Sequence, residues 1–379
     1  MKSIPCLLVI VLISTLLTGC WGAKEIEHMI YVNTLGIDYV DDQFVVYVQM
    51  VNFSGIGKKE SGGATQEQKT FVGQARGDSF DTAIFNLYAS SPQRIVWSNI
   101  KTLVFSDKAL KHGIIDQVLE VWDRYYEFRY TVWAMATKEP MEEVLNTPSI
   151  SDLSVLYSQL NSPMRTYEQS SIIAPIYLYK FIWKWKEKGQ VVLLPYLDIV
   201  HGWTDNNKPS PNLSMAGVCL LDDQQFKGCL KSSDALGLRW LEKKTIRTPL
   251  VIKDKKSVKA LMVMNKIKSS IKLKIKRGKP VFDINVSMQA TLPQLNISLQ
   301  KTLLEKEAVK EVKKQIMDTY LNGLKHKADV YSLSGILYRQ MPRLWHELYT
   351  KEKFPLTPDS IENIHVKVNL VSGGISKMR

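Results

Sequence analysis

Between Ile267 and Lys276 two kinds of residue take strict turns. Ile267, Ser269, Ile271, Leu273 and Ile275 interleave with Lys268, Ser270, Lys272, Lys274 and Lys276. Successive side chains of a strand point to opposite faces, so this spacing predicts a strand with one apolar and one lysine face. Such a strand needs a sheet around it and a second layer over its apolar side. The second layer is legible downstream. Leu304, Ala308, Val312, Ile316, Tyr320 and Leu324 recur every four residues, with Lys306, Lys310, Lys313 and Lys314 off that stripe. A helix of about 25 residues would run nearly 40 Å with one face turned to a sheet. The fold class follows: α+β and multi-domain, with mixed or antiparallel sheets packed by helices and one long amphipathic helix near the C-terminus.

The lysine face has more than one reading. It is a solvated sheet face or an edge strand that lysines keep from mispairing, or else a surface for anionic lipid or an acidic partner. Lys272, Lys274 and Lys276 are the candidate residues for that surface. They sit in a basic tract, since Lys243 to Lys279 holds 14 Lys or Arg and one acid, Asp254, in a chain of net charge +13. No aromatics interleave with these lysines, so stacking on bases is not indicated and nucleic acid is not an expected partner.

The N-terminus supplies a reason for the charge. Lys2 precedes an almost wholly apolar run from Leu7 to Leu17, and the run exits through Leu17-Thr18-Gly19-Cys20. A charged start, a short apolar core and a small-residue exit make a secretory signal. The run is too short for an ordinary membrane span of about 20 residues. Leu-Thr-Gly-Cys resembles the bacterial lipobox, which predicts a signal peptide at residues 1–19 and lipidation of Cys20. Trp21 suits the membrane interface. The competing reading is a soluble exported protein whose cleavage site abuts a cysteine. Removing residues 1–19 from 379 leaves 360, enough for two or three domains. No later stretch approaches 18 uninterrupted apolar residues. Of the other cysteines, Cys6 lies in the signal. Cys219 and Cys229 are either cross-strand neighbours in a disulfide, which export permits, or two buried thiols.

Strands are predicted at Ile30–Val40 and Phe44–Val51, followed by a glycine-rich loop at Ser54–Ala64. Ser79 caps one helix. Ser106 caps another that carries Leu110, Ile114, Val118 and Trp122. Pro175–Lys188 is ambiguous, because aromatics alternate while Lys180, Lys184 and Lys188 recur at four. Pro175 and Gly189 favour a helix packed against a sheet. The polar stretch 201–211, with Asn206, Asn207, Pro209 and Pro211, is the predicted linker. It separates an N-terminal α+β domain at 20–200 from a C-terminal one at 212–376, with a second reading that divides the latter near 290. Met215–Leu221 and Phe226–Leu230 form a predicted hairpin.

Catalytic signals are missing. The six histidines are scattered, and no Cys-x-x-Cys, nucleophile elbow or dinucleotide fingerprint occurs. No catalytic residue, metal ligand or cofactor is expected.

Several motifs in order resemble the Ger(x)C family, lipoprotein C subunits of nutrient germinant receptors in endospore-forming bacteria. They are the lipobox with Cys20-Trp21-Gly22-Ala23-Lys24-Glu25-Ile26, then Leu35-Gly36-Ile37-Asp38, then Ala216-Gly217-Val218 through Phe226-Lys227-Gly228-Cys229-Leu230. Lys327-Ala328-Asp329-Val330 through Gly335, Pro342 and Trp345 completes the set. The sequence departs from the family at Gly22-Ala23, where Asp-Arg is frequent. The resemblance implies a non-enzymatic protein on the outer face of the spore inner membrane. Its implied partners are an A subunit and a transporter-like B subunit. The runner-up is a solute-binding lipoprotein that delivers a small ligand to a permease, which should show two doubly wound lobes.

Overall fold

The computed structural model describes residues 29–51, 70–150, 154–254, 257–295, 300–351 and 355–372. Cys20, the signal at 1–19 and the Ser54–Ala64 loop lie outside the described residues.

The first sheet is built from β1 (Met29–Val40), β2 (Gln43–Val51), β3 (Phe71–Gly77), β4 (Arg94–Val96), β5 (Thr102–Ser106), β6 (Trp133–Thr137), β7 (Ile176–Tyr177), β8 (Val191–Asp205), β9 (Lys208–Asp222) and β10 (Gln225–Lys231). Its order is β10-β9-β8-β6-β5-β1-β2-β3, with β4 beside β1 and β7 beside β6. The centre β1, β5, β6 and β8 is parallel. Antiparallel strands flank it on both sides. Helices α1 (Phe80–Ser90), α2 (Asp107–His112), α3 (Ile115–Arg124), α4 (Met141–Asn146), α5 (Pro163–Gln169) and α6 (Leu178–Lys186) connect these strands.

A parallel centre must be covered on both faces, and β5 and β6 are buried at every position. Leu103, Phe105, Ala134 and Ala136 meet α1, α2, α3 and α6 in one core. Val104, Trp133 and Met135 face a smaller core closed by Met141, Val144 and Leu145 of α4.

The predicted caps are present. Ser79 Oγ accepts from the Thr82 N–H at 3.1 Å, and Ser106 Oγ accepts from the Ala109 N–H at 3.0 Å. The helix expected after Ser106 is two helices, because Gly113 at φ 71° ends the first in the left-handed region. The ambiguous aromatic stretch is a helix from Leu178, which buries Phe181 and Trp185.

The second sheet follows α7 (Leu238–Leu241). It contains β11 (Arg247–Asp254), β12 (Ser257–Lys276), β13 (Lys279–Leu295) and β14 (Ile361–Ser372), in that order across the sheet. Between the last two strands run α8 (Lys301–Lys325), α9 (Leu333–Gln340) and α10 (Pro342–Lys351). The stripe Leu304, Ala308, Val312, Ile316 and Tyr320 of α8 is fully buried against the sheet, as its period predicts.

In β12 the inward set changes parity. Ala260, Met262 and Met264 face the second core, and so do Ile267, Ile271 and Leu273. The switch falls at Lys266, φ 49°, where the register slips between Asn265 and Lys268. A bulge places two residues opposite one and restores the apolar face after a one-residue slip. β11 pairs only with Ser257–Asn265, so among the described residues the lysine half of β12, Lys268–Lys276, pairs on one side only, with β13, and its other side is an edge that the lysines can protect.

The predicted linker is not a linker. Residues 201–205 end β8 and 208–211 begin β9, joined by a tight turn with Asn206 and Asn207 at φ 46° and 65°. This end of the ribbon projects beyond the sheet. Both its faces are wet, so no apolar alternation marks it as strand. Nor does the chain divide near 290, since Ala290 is fully buried within β13. The sheets are fused through β9 instead. Cys219 and Leu221 enter the first core, while Val218 and Leu220 enter the second. Cys219 faces Cys229 across the β9–β10 hairpin, and the two are joined in a disulfide.

Candidate functional site

Two places in this fold hold the residues that the sequence singles out: the outer face of the second sheet and the junction between the two sheets. On the outer face, Lys272, Lys274 and Lys276 share one side of β12. Two of them are engaged within their own sheet. Lys274 pairs with Asp283 of β13 at 2.5 Å, and Lys276 pairs with Glu362 of β14. Asp283 also accepts from Asn363 Nδ2 at 2.9 Å. The Lys274 and Asn363 hydrogen bonds hold the Asp283 carboxyl below the usual carboxylate range. Lys272 is exposed. Beside these lysines runs a shallow, open groove of about 450 Å³, lined by Lys268, Ser270, Asn285, Ser287, His365 and Lys367. It offers a broad polar surface with no enclosed floor.

The junction is a different environment. The β9–β10 turn meets the chain that leaves α8. Asp222 Oδ2 accepts the Asp329 backbone N–H at 2.8 Å, and Asp329 Oδ2 accepts the Ser334 N–H at 2.7 Å. The other Asp329 oxygen is buried without a partner among the described residues. Burial first, and then the Asp222 charge, push the Asp329 carboxyl up to about 7. Burial raises Asp222 as well. Lys184 of α6 is half-buried nearby, desolvation lowers its ammonium, and its Nζ donates to the Val191 carbonyl at 3.3 Å.

Backbone contacts close the junction. The Val191 N–H donates to Ser332 Oγ at 3.3 Å, and Trp345 Nε1 donates to Ser334 Oγ at 2.8 Å. Gly189 and Gly335 approach so closely that a Cβ on the latter would lie 2.1 Å from Gln190 Nε2. Gly228, at φ 124°, sits against the His326 ring, where an added Cβ would come within 2.6 Å. His326 Nδ1 lies 3.0 Å from the Lys227 carbonyl.

This geometry locks two layers together. Among the described residues no three His, Cys, Asp or Glu side chains group as metal ligands would. Of the residues proposed from sequence, Cys20 lies outside the described residues, and the three lysines share a face. Sequence reasoning missed the Asp222–Asp329 contact, which joins positions 107 apart. Both residues do lie in or beside the quoted motifs, Asp222 between the two halves of the hairpin and Asp329 after the long helix.

Those motifs converge in space at the junction, and comparison with known proteins accounts for them. The "Spore germination protein N-terminal domain" model matches residues 22–199, and "Spore germination B3/GerAC like, C-terminal" matches residues 216–374. The chain belongs to the GerAC-like spore germination family. Spore germination protein KC of Bacillus subtilis (strain 168) is 24% identical over 383 residues, covering 94% of each chain. Spore germination protein B3 of the same organism is 23% identical, covering 88% of each. A crystal structure of the GerBC protein superposes with a TM-score of 0.50 over 90% of this chain and 97% of that one. At 18% identity that likeness is one of fold, and it supports the mixed α+β architecture. Homology to GerAC-like proteins supports a role in spore germination.

Proposed function

We propose that this chain is a membrane-anchored, non-catalytic subunit of a nutrient germinant receptor, acting with A and B subunits in nutrient-triggered germination. It is held through lipid on Cys20 at the outer face of the spore inner membrane. The observation that carries this reading is the match of both family domains, in order, across nearly the whole chain. The lipobox and the basic charge support the anchor. Solute delivery to a permease is not favoured. That class needs two doubly wound lobes, whereas β11, β12 and β13 are antiparallel. Lys272, Lys274 and Lys276 remain the proposed lipid or partner surface, with Lys272 the one of the three whose charge no carboxylate contact among the described residues occupies. Reversing all three should weaken association in a salt-sensitive way, and unchanged binding would reduce the face to a solvated one.

The test is germination of spores carrying Cys20→Ala, with membrane fractionation of the same spores. The expected result is loss of the protein from the membrane and loss of one nutrient response. A nutrient response that survives with soluble protein makes the lipid dispensable and leaves assembly to protein contacts, whereas Cys20→Ala protein that stays in the membrane fraction rejects the anchor. A deletion strain that germinates normally on every nutrient rejects the receptor role.

A further inference from the structure

The parallel strands of the first sheet give it two distinct poles. β1, β5 and β6 run the same way, so the residues that lead into them share one pole. Met29, the first residue of β1, pairs with Arg94 of β4 there. Phe71, the first residue of β3, pairs with Met50, which pairs with Val32 of β1. α1 descends to the same pole from Gly77, bringing Phe85 and Tyr88 with it. α3 also descends, and passes the chain through Tyr126 and Tyr130 to β6. Tyr179 joins them, donating its backbone N–H to the Tyr130 carbonyl at 3.1 Å.

These side chains are unusually bare. Among the described residues nine aromatics are exposed, and six of them are Phe71, Phe85, Tyr88, Tyr126, Tyr130 and Tyr179. Tyr126 is 92% exposed and Phe85 60%. Phe85 and Tyr88 stand edge to face with ring centroids 5.8 Å apart. Four of the six are tyrosines, each an apolar ring with a polar tip, the chemistry that collects at a bilayer's headgroup level. The Tyr130 hydroxyl donates to Asp123 at 2.7 Å and the Tyr88 hydroxyl accepts from Trp97 Nε1 at 2.6 Å. Lys101 and Arg129 are exposed at this pole, as is much of Arg94, which shares its charge with Glu127 at 3.6 Å.

The tether points to the same place. Cys20 precedes Met29 by nine residues. Fully extended, that length reaches about 30 Å at most. Whatever holds Cys20 therefore holds this pole close to it. The Asn206–Asn207 tip of the long hairpin lies at the opposite pole, because β8 runs parallel to β6 and continues past it.

We propose that this aromatic pole of the first sheet rests on the lipid headgroup zone of the membrane that anchors Cys20, so that the body stands on the bilayer in one orientation. The proposal builds on the lipid-anchor reading. Phe85 and Tyr126 enter the interface, and Lys101 and Arg129 meet anionic headgroups. The hairpin tip with Trp203 points away from the lipid.

The test is hydroxyl-radical footprinting of residues 20–379, free and coupled through the Cys20 thiol to maleimide-headgroup lipid. The vesicles contain phosphatidylethanolamine and phosphatidylglycerol. Chemical coupling supplies the tether whether or not the cell acylates Cys20. Failure of the anchor reading would show separately, as Cys20→Ala protein that stays in the spore membrane fraction. Oxidation of Tyr126 and Phe85 should slow by about five-fold on the vesicles, the effect of a face covered about four-fifths of the time. Trp203, 54% exposed at the far pole, should react alike in both states. A coupled Phe85→Ser, Tyr126→Ser protein should recover the free rate at Tyr130. Equal rates at Tyr126 with and without lipid would overturn the proposal. So would protection of Trp203 as strong as that of Tyr126, or undiminished protection of Tyr130 in the double variant.

Discussion

Asp329 shows how one carboxyl ties the stability of this fold to pH. Its folded-state value is raised to about 7, against an ordinary value near 3.8. A carboxyl raised in this way binds its proton in the folded state at pH values where the unfolded chain has released it. Stability therefore falls as pH rises from about 4 through about 7, and levels off above that. Asp222, Lys184, Tyr320 and Tyr349 are the titratable neighbours that this charge meets. Asp329→Asn keeps an acceptor for the Ser334 N–H and removes the buried charge. It should raise stability at pH 8 by about 1–3 kcal/mol and flatten the melting temperature between pH 5 and pH 8. Thermal denaturation over that range checks both. Gly228→Ala meets two obstacles, the positive φ and the His326 ring. A loss of about 2–4 kcal/mol in urea unfolding is expected. Neither effect can be read from the sequence. Asp222 and Asp329 are far apart in the chain, and a lone glycine does not reveal what stands above it.

At the scale of elements, legibility follows the wetness of each face. The α8 stripe and the alternation of β12 are written in plain periods, because one side of each is buried and the other is wet. β8 beyond Ile199 and the start of β9 are wet on both sides, so they read as linker while forming a ribbon. The β12 bulge leaves a subtler mark, since the inward set shifts from Met262 and Met264 to Ile267 and Ile271. Deleting Lys266 forces a choice between pairing β13 in register and keeping both halves of the apolar face inward. The deletion should cost about 3 kcal/mol or more, or leave a protein without a cooperative transition. Circular dichroism melts would show either outcome. Deleting one residue at the exposed Asn206–Asn207 turn should cost far less.

For the whole molecule, the two family domains and the two sheets divide the chain differently. The family matches break between 199 and 216, whereas the first sheet continues to Lys231. A chain cut between Asn206 and Asn207 should therefore not yield two independent domains. The fragments are expected to co-purify and to unfold in one transition, and the C-terminal fragment alone should lack one. Calorimetry on the mixed and separate fragments decides this. The α+β class, the long helix and the family were legible in the sequence. The fusion was not, because the unbroken apolar run Val218–Leu221 of β9 shows only that both its sides are covered and not by what. That double burial also has a mechanical meaning. A strand wedged between two close-packed interiors cannot slide or tilt without compressing one of them, and packed interiors yield little. The free end of the same ribbon reaches solvent at Trp203. A sideways load there acts on a lever arm whose fulcrum is shared by both halves of the molecule.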